Sequence, residues 1–182
     1  HVVEGVPLAE LAIVTFTTKA AAELRARLDE LLGRLTTPAE RWLIGTFHAV
    51  ALALLQRVLP VDQLGYSADV TVLDEDGVVA LIDELIAAHK LRVGQRRRLR
   101  DKLKALGPGG GSGDLARLAA LLGEAKRARN AMDFDDLIDH ASALLATADM
   151  RRPRWILIDE LQDCEPRELA LVRRLRAPDG GV

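Results

Sequence analysis

Short β-branched apolar runs alternate along this chain with longer stretches whose apolar residues recur at helical spacing. Leu11-Ala-Ile-Val-Thr-Phe16 is the first run and reads as a buried strand. Thr17 or Thr18 can cap the helix that follows, Leu24, Leu28 and Leu31 mark its inner face, and Gly33 suits its end. The pattern repeats: Trp42 to His48 reads as a strand, and Ala49 to Leu59 as an apolar helix stopped at Pro60. Val70 to Leu73 is a third extended run, with Asp74 placed to cap a helix to about His89. Asp114 is placed to cap another, with Leu115, Leu118, Leu121 and Leu122 inward and Lys126, Arg127 and Arg129 on its exposed side. Ala131 to about Ala146 reads as one helix, with Asp133, Asp135 and Asp136 at an N-terminus where the macrodipole favours acids. Trp155 to Ile158 reads as a fully buried parallel strand. Pro166 opens a last helix to about Arg176, and Ala177 to Gly181 reads as a turn leading nowhere.

Strand, polar turn and helix in repetition predict an α/β fold. With 182 residues, 49% hydrophobic and 29% charged, the chain has the length and composition for one packed domain, or one with an insertion. Aromatics are only 3%, so the core is built of Leu, Ala, Val and Ile. The net charge of −2 points to no polyanion partner, so any basic surface must be local. One local patch exists: between Lys90 and Lys104 stand Lys90, Arg92, Arg96, Arg97, Arg98, Arg100, Lys102 and Lys104 against the single acid Asp101. It reads either as the solvated face of a helical hairpin or as a surface that tracks phosphates. Gly107 to Gly113 has the composition of a flexible linker. Cys164, the single cysteine, leaves no internal disulfide framework and fits a reducing cytosol. No apolar run reaches the roughly 18 residues of a membrane span and no signal peptide is visible, so the expectation is a cytoplasmic chain with no membrane partner.

Chemistry concentrates at the end of the last strand. In open α/β sheets ligands bind beyond the carboxyl ends of the strands, and here the apolar run Trp155 to Ile158 leads straight into Asp159-Glu160. Two adjacent carboxylates there suit nucleotide hydrolysis, one holding Mg²⁺ through its waters and the next polarising the attacking water. Gln162 and Asp163 follow closely and strengthen that reading over a solvated acidic turn. The turn Thr15 to Lys19 and the junction at His48 lie on the same expected ligand side, although each alone is also an ordinary strand-to-helix connection. Neither is a phosphate loop, since the Gly-rich stretch and the Lys-Ser/Thr ending are absent. No Cys or second His lies at zinc spacing from His48, and the acids near His140 match no metal-site spacing.

Four of these stretches, in this order, resemble the DNA helicases of the UvrD, Rep and PcrA family, in superfamily one. Val14-Thr-Phe-Thr-Thr-Lys-Ala-Ala21 is similar to the family's motif Ia, with Thr18 where Asn is usual. Gly45-Thr-Phe-His48 is similar to the next DNA-contacting motif. Met132-Asp-Phe-Asp-Asp-Leu137 is similar to the segment returning from an inserted helical subdomain. Ile158-Asp-Glu-Leu-Gln-Asp163 is similar to motif II, with Leu161 where Phe or Ala is more frequent.

The resemblance implies an incomplete RecA-like (P-loop NTPase) parallel sheet flanked by helices, with an inserted all-α subdomain. Residues 1–68 and 131–182 would be part of the first RecA-like ATPase domain, and 69–130 the insertion. It implies ATP and Mg²⁺ as cofactors, with Asp159 coordinating the ion, Glu160 as general base and Gln162 sensing the γ-phosphate. Thr15, Phe16, Thr17, Lys19, Thr46, Phe47 and His48 would lie along single-stranded DNA. The partners implied are single-stranded and duplex DNA and a second RecA-like domain of the same parent chain, in a translocase that unwinds duplexes in repair or recombination. The family's phosphate loop precedes motif Ia and nothing before Leu11 resembles it, so the chain reads as a fragment, inactive alone, with an unpaired sheet edge. Two rivals share these motifs: a helicase-like scaffold without ATP chemistry, and the motor of a helicase–nuclease.

Overall fold

A computed structural model describes residues 10–32, 43–94, 99–106, 111–178 and 181. Gly33, Trp42, Arg96, Arg97, Arg98 and most of the Gly-rich linker lie outside the described residues. The chain divides into two compact units, residues 1–64 with 135–182, and residues 65–134.

The first unit is α/β. Strand β1 (Leu11–Thr15) is buried at every position, as its run of β-branched and apolar residues requires of a central strand. It pairs in parallel with β2 (Ile44–Thr46) on one side and, on the other, with the last strand of the chain, Trp155–Ile158. Helix α1 (Thr18–Leu32) is capped by Thr17, whose hydroxyl accepts the Ala20 N–H at 3.1 Å. It lays Leu24 and Leu28 over Leu11, Ile13 and Ile44. The second strand is shorter than the sequence indicates, because the Thr46 hydroxyl accepts the Ala49 N–H and starts α2 (Phe47–Arg57) directly at its end. Phe47, Val50, Ala51, Leu54 and Leu55 are the buried stripe of α2.

Among the described residues the second unit is mainly helical, with one parallel ladder, β3 (Thr71–Leu73) against β4 (Ala131–Asp133). Residues 131–133 therefore begin as strand, and the helix expected from Ala131 starts only at Phe134. Between the strands run α3 (Glu75–His89), α4 (Leu99–Leu106) and α5 (Gly113–Ala128). Asp74 caps α3 through the Gly77 N–H at 2.8 Å. Asp114 does not cap α5; it lies in the first turn, and its carboxylate accepts the Arg92 N–H at 2.6 Å. Val78, Leu81, Ile82, Leu85, Leu118 and Leu122 fill the centre of this unit. Lys126 continues the spacing of Leu118 and Leu122 and is buried, not exposed, with its ammonium 2.6 Å from Asp133. Arg129 pairs with Glu84 at 2.6 Å. Just before β4, Asn130 takes a left-handed φ of 48° and its side-chain oxygen accepts the Ser67 N–H. Its amide donates to Asp69, whose carboxyl is held below the usual range chiefly by the Ser67 hydroxyl.

The chain returns through α6 (Phe134–Leu145), then β5 (Trp155–Ile158) and α7 (Pro166–Leu175). The sheet order is β2-β1-β5. Strand β5 is not buried throughout: Leu157 is 50% exposed. Leu157 faces an open cleft beside α1, which it lines with Glu23, Leu24 and Arg27. Gly181, read as the end of a turn leading nowhere, instead lies beside β5. Gly181 forms a parallel bridge with Trp155, donating to the Arg154 carbonyl at 2.7 Å and accepting the Ile156 N–H at 3.2 Å. Only glycine fits there, because a Cβ would stand 2.5 Å from the Trp155 ring. Among the described residues no helix is long and apolar enough to cross a membrane.

Candidate functional site

Parallel pairing brings three strand ends to one edge of the sheet. Thr15 is level with Thr46, and Val14 with Ile158, so Asp159 emerges beside Thr15. The Asp159 N–H continues the ladder onto the Val14 carbonyl at 3.0 Å, which fixes where its side chain leaves the sheet. Asp159 and Glu160 are both exposed. Glu160 takes a left-handed backbone, φ 52° and ψ 49°, a conformation that costs a non-glycine residue about 1–3 kcal/mol and recurs at functional sites. A single 3₁₀ turn, Leu161–Asp163, follows, with the Asp163 N–H on the Glu160 carbonyl at 2.9 Å. The Gln162 amide donates to the Glu160 carboxylate, so these two side chains hold one another.

Asp159 also lines a cleft of about 360 Å³ between β1, β5 and the first turns of α1, with Thr15, Glu23, Arg27 and the half-exposed Leu157 among its walls. Glu23 and Arg27 are site neighbours that reading the sequence missed. Their signal was the face they share with Ala20 and Leu24 on α1, at helical spacing. Among the described residues no three His, Cys, Asp or Glu side chains cluster as a metal cage. Mg²⁺ needs none, since it keeps several waters and takes one or two carboxylates together with substrate phosphates. A lone exposed Asp159 at the carboxyl edge of the sheet fits that donor set. Cys164, next to this segment, has its thiol pushed up by burial first and then by the charges of Glu168 and Asp163, so it is a poor nucleophile.

The ends of β1 and β2 carry the second group. The buried Thr15 hydroxyl donates to the Thr17 carbonyl at 3.1 Å, tying the turn after β1 to the strand. Phe16 is 37% exposed and meets Phe47 at a ring-centroid distance of 5.5 Å and an angle of 59°. Phe47 itself is buried, so its ring is closed to a ligand and its visible role is to back Phe16. Its loss should be structural: Phe47→Ala is expected to cost about 3–5 kcal/mol in denaturant unfolding, as for other fully buried phenylalanines. Lys19 is exposed and only loosely paired with Glu23, at 3.9 Å. Thr17 is exposed beside it. Thr46 spends its hydroxyl oxygen on the α2 cap, and His48 is half-buried in the first turn of that helix.

The fold and the strand-end residues define an α/β chain of incomplete RecA-like class. The model of the UvrD/REP helicase N-terminal domain matches residues 2–107. The chain is 32% identical over 191 residues to the ATP-dependent DNA helicase Rep of Salmonella typhimurium, covering 94% of this chain and 28% of the relative. It is 31% identical to Rep of Escherichia coli over the same shares. It is 32% identical over 199 residues to the ATP-dependent DNA helicase UvrD1 of Mycobacterium bovis, covering 96% of this chain and 25% of that protein. The chain belongs to the UvrD/REP helicase family, and it spans about a quarter of the length of these relatives.

Proposed function

We propose that this chain is part of an ATP-driven DNA helicase that moves along single strands and unwinds duplex DNA, serving repair or recombination. The observation that carries the reading is the alignment of Asp159-Glu160 with Thr15-Phe16 and Thr46 at one edge of a parallel sheet. An acidic, nucleotide-directed end and an aromatic, strand-directed end thus share adjacent strands. Asp159 would hold Mg²⁺, which when bound with ATP neutralises phosphate charge. Glu160 would accept the proton of the attacking water, with its carboxylate oriented by the Gln162 amide. Gln162 would in turn feel the γ-phosphate, so that nucleotide state alters its grip on Glu160. The sequence holds no Gly-rich loop ending in Lys-Ser/Thr, so the 182 residues alone should turn over no ATP. A second RecA-like domain of the parent chain would complete the site.

Phe16 offers the stacking surface on the DNA side. Every base has a π-face, so stacking on an aromatic suits movement that ignores sequence, at about 1–3 kcal/mol per base. Phe16→Ala in the intact parent protein should therefore weaken single-stranded DNA binding by about 1–3 kcal/mol, read by fluorescence anisotropy. The function itself is tested by strand displacement. The parent protein should release a labelled strand from a tailed duplex with ATP and not with a non-hydrolysable analogue. DNA binding without release under any nucleotide would support a scaffold instead.

A further inference from the structure

The segment that carries Asp159, Glu160 and Gln162 is held mainly from its two ends. Between β5 and α7 its backbone hydrogen bonds are the Asp159 link to β1, two short-range bonds inside the 3₁₀ turn and, at its end, the Glu165 N–H on the Glu168 carboxylate. Leu161, Gln162 and Asp163 are exposed, and Leu161 is 49% so. Where Glu160 stands is therefore set by β5 on one side and by the start of α7 on the other.

The start of α7 is closed on itself by the capping box of Glu165 and the buried Glu168, and it is tied to α6 by the side chain of Arg167. Arg167 lies 2.9 Å from Asp135, 3.7 Å from Asp139 and 3.3 Å from Glu165, and it is partly buried among them. Asp135 and Asp139 stand one turn apart on α6, so the guanidinium spans a pair of acids on one helix face. Further along, Arg174 donates to the Ser142 carbonyl at 2.8 Å, and Arg152 donates to the Leu145 carbonyl at 2.7 Å. The contacts Asp135 with Arg167 and Ser142 with Arg174 advance together along both helices, so α6 and α7 run parallel and are joined at both ends. Burial holds the Asp139 carboxyl above its ordinary range, and the Arg167 guanidinium offsets only part of that rise. Asp135 is also the first residue of the first unit after the chain leaves the second.

We infer that Arg167 is a positioning residue of the ATP site: by tying the start of α7 to Asp135 and Asp139 it fixes Glu160 and Gln162. This rests on the proposed function for its chemistry, although the anchoring itself does not. The test uses the intact parent protein with Arg167→Ala and Arg167→Lys. Misplacing a reacting group by about 1 Å can cost up to 10²-fold in rate, so Arg167→Ala should lower kcat for single-stranded-DNA-stimulated ATP hydrolysis by roughly 10- to 100-fold. KM for ATP and the affinity for single-stranded DNA should stay within about threefold, and Arg167→Lys, which keeps the charge without the fork, should be intermediate. Amide hydrogen exchange, read without nucleotide, should quicken at residues 160–165 in Arg167→Ala while β1 and β5 keep their protection. Unchanged exchange at 160–165 overturns the inference even if the wild-type protein hydrolyses no ATP, a result that would defeat only the functional reading. A fall in kcat explained wholly by unfolded protein, with exchange quickened across the whole sheet, also overturns it.

Discussion

Glu160→Gln in the intact parent protein is expected to reduce single-stranded-DNA-stimulated ATP turnover by about 10²–10⁴-fold, the range that general-base catalysis supplies. The amide has the shape of the carboxylate it replaces and can still accept a hydrogen bond from Gln162, whose amide holds Glu160 in the native chain. The left-handed backbone at 160 makes the same demand of either residue. What the amide cannot do is take a proton from water. Affinity for ATP and for single-stranded DNA should therefore stay near wild type, as steady-state phosphate release beside fluorescence anisotropy would show. Loss of DNA binding in parallel with turnover would assign Glu160 to the architecture rather than to the chemistry.

Asp133→Ala is expected to destabilise the second unit by about 3–5 kcal/mol, the usual result of breaking a buried ion pair by removing one partner. The Lys126 side chain is 7% exposed and that of Asp133 15%, with 2.6 Å between the charges. Truncating the acid leaves an ammonium in a site with little access to water. The pair also joins the last turn of α5 to the strand β4, which among the described residues pairs only with β3. Lys126→Met combined with Asp133→Leu should restore most of the loss, because apolar replacements remove both buried charges together. Hydrogen exchange at residues 113–133 measures this, with protection lost in the single variant and regained in the double. Equal protection in all three would show that the pair is solvated.

These two residues also mark what the sequence revealed and what it hid. Strand β1, the Thr17 and Asp74 caps and the acidic turn after β5 were legible because their signals are local: a β-branched run, a hydroxyl or carboxylate before an apolar stripe, two acids after a strand. Strand β4 was hidden because it is three residues long and exists through pairing with β3, some sixty positions earlier in the chain. Lys126 was misplaced because residue type outweighed periodicity; its spacing from Leu118 and Leu122 already put it on the buried face. Phe47 was read with the DNA-side group, and the Thr46 cap, which turns the chain into α2, carries that ring inward. The return of Gly181 to β5 depends on a close approach to Trp155 that only a folded sheet creates. Arg167 gave no sign at all, since its partner Asp135 was read as one of the acids of an isolated helix start.

The central claim is that the acidic end of β5 and the aromatic end of β1 belong to one motor that couples ATP to a DNA strand. Hydrolysis of ATP by the intact parent protein, measured with and without single-stranded DNA, tests it most directly. Turnover is expected to rise at least about fivefold on adding single-stranded DNA, the low end of the coupling between linked sites, and to collapse in Glu160→Gln. Turnover that ignores DNA, or none in either protein, would contradict it.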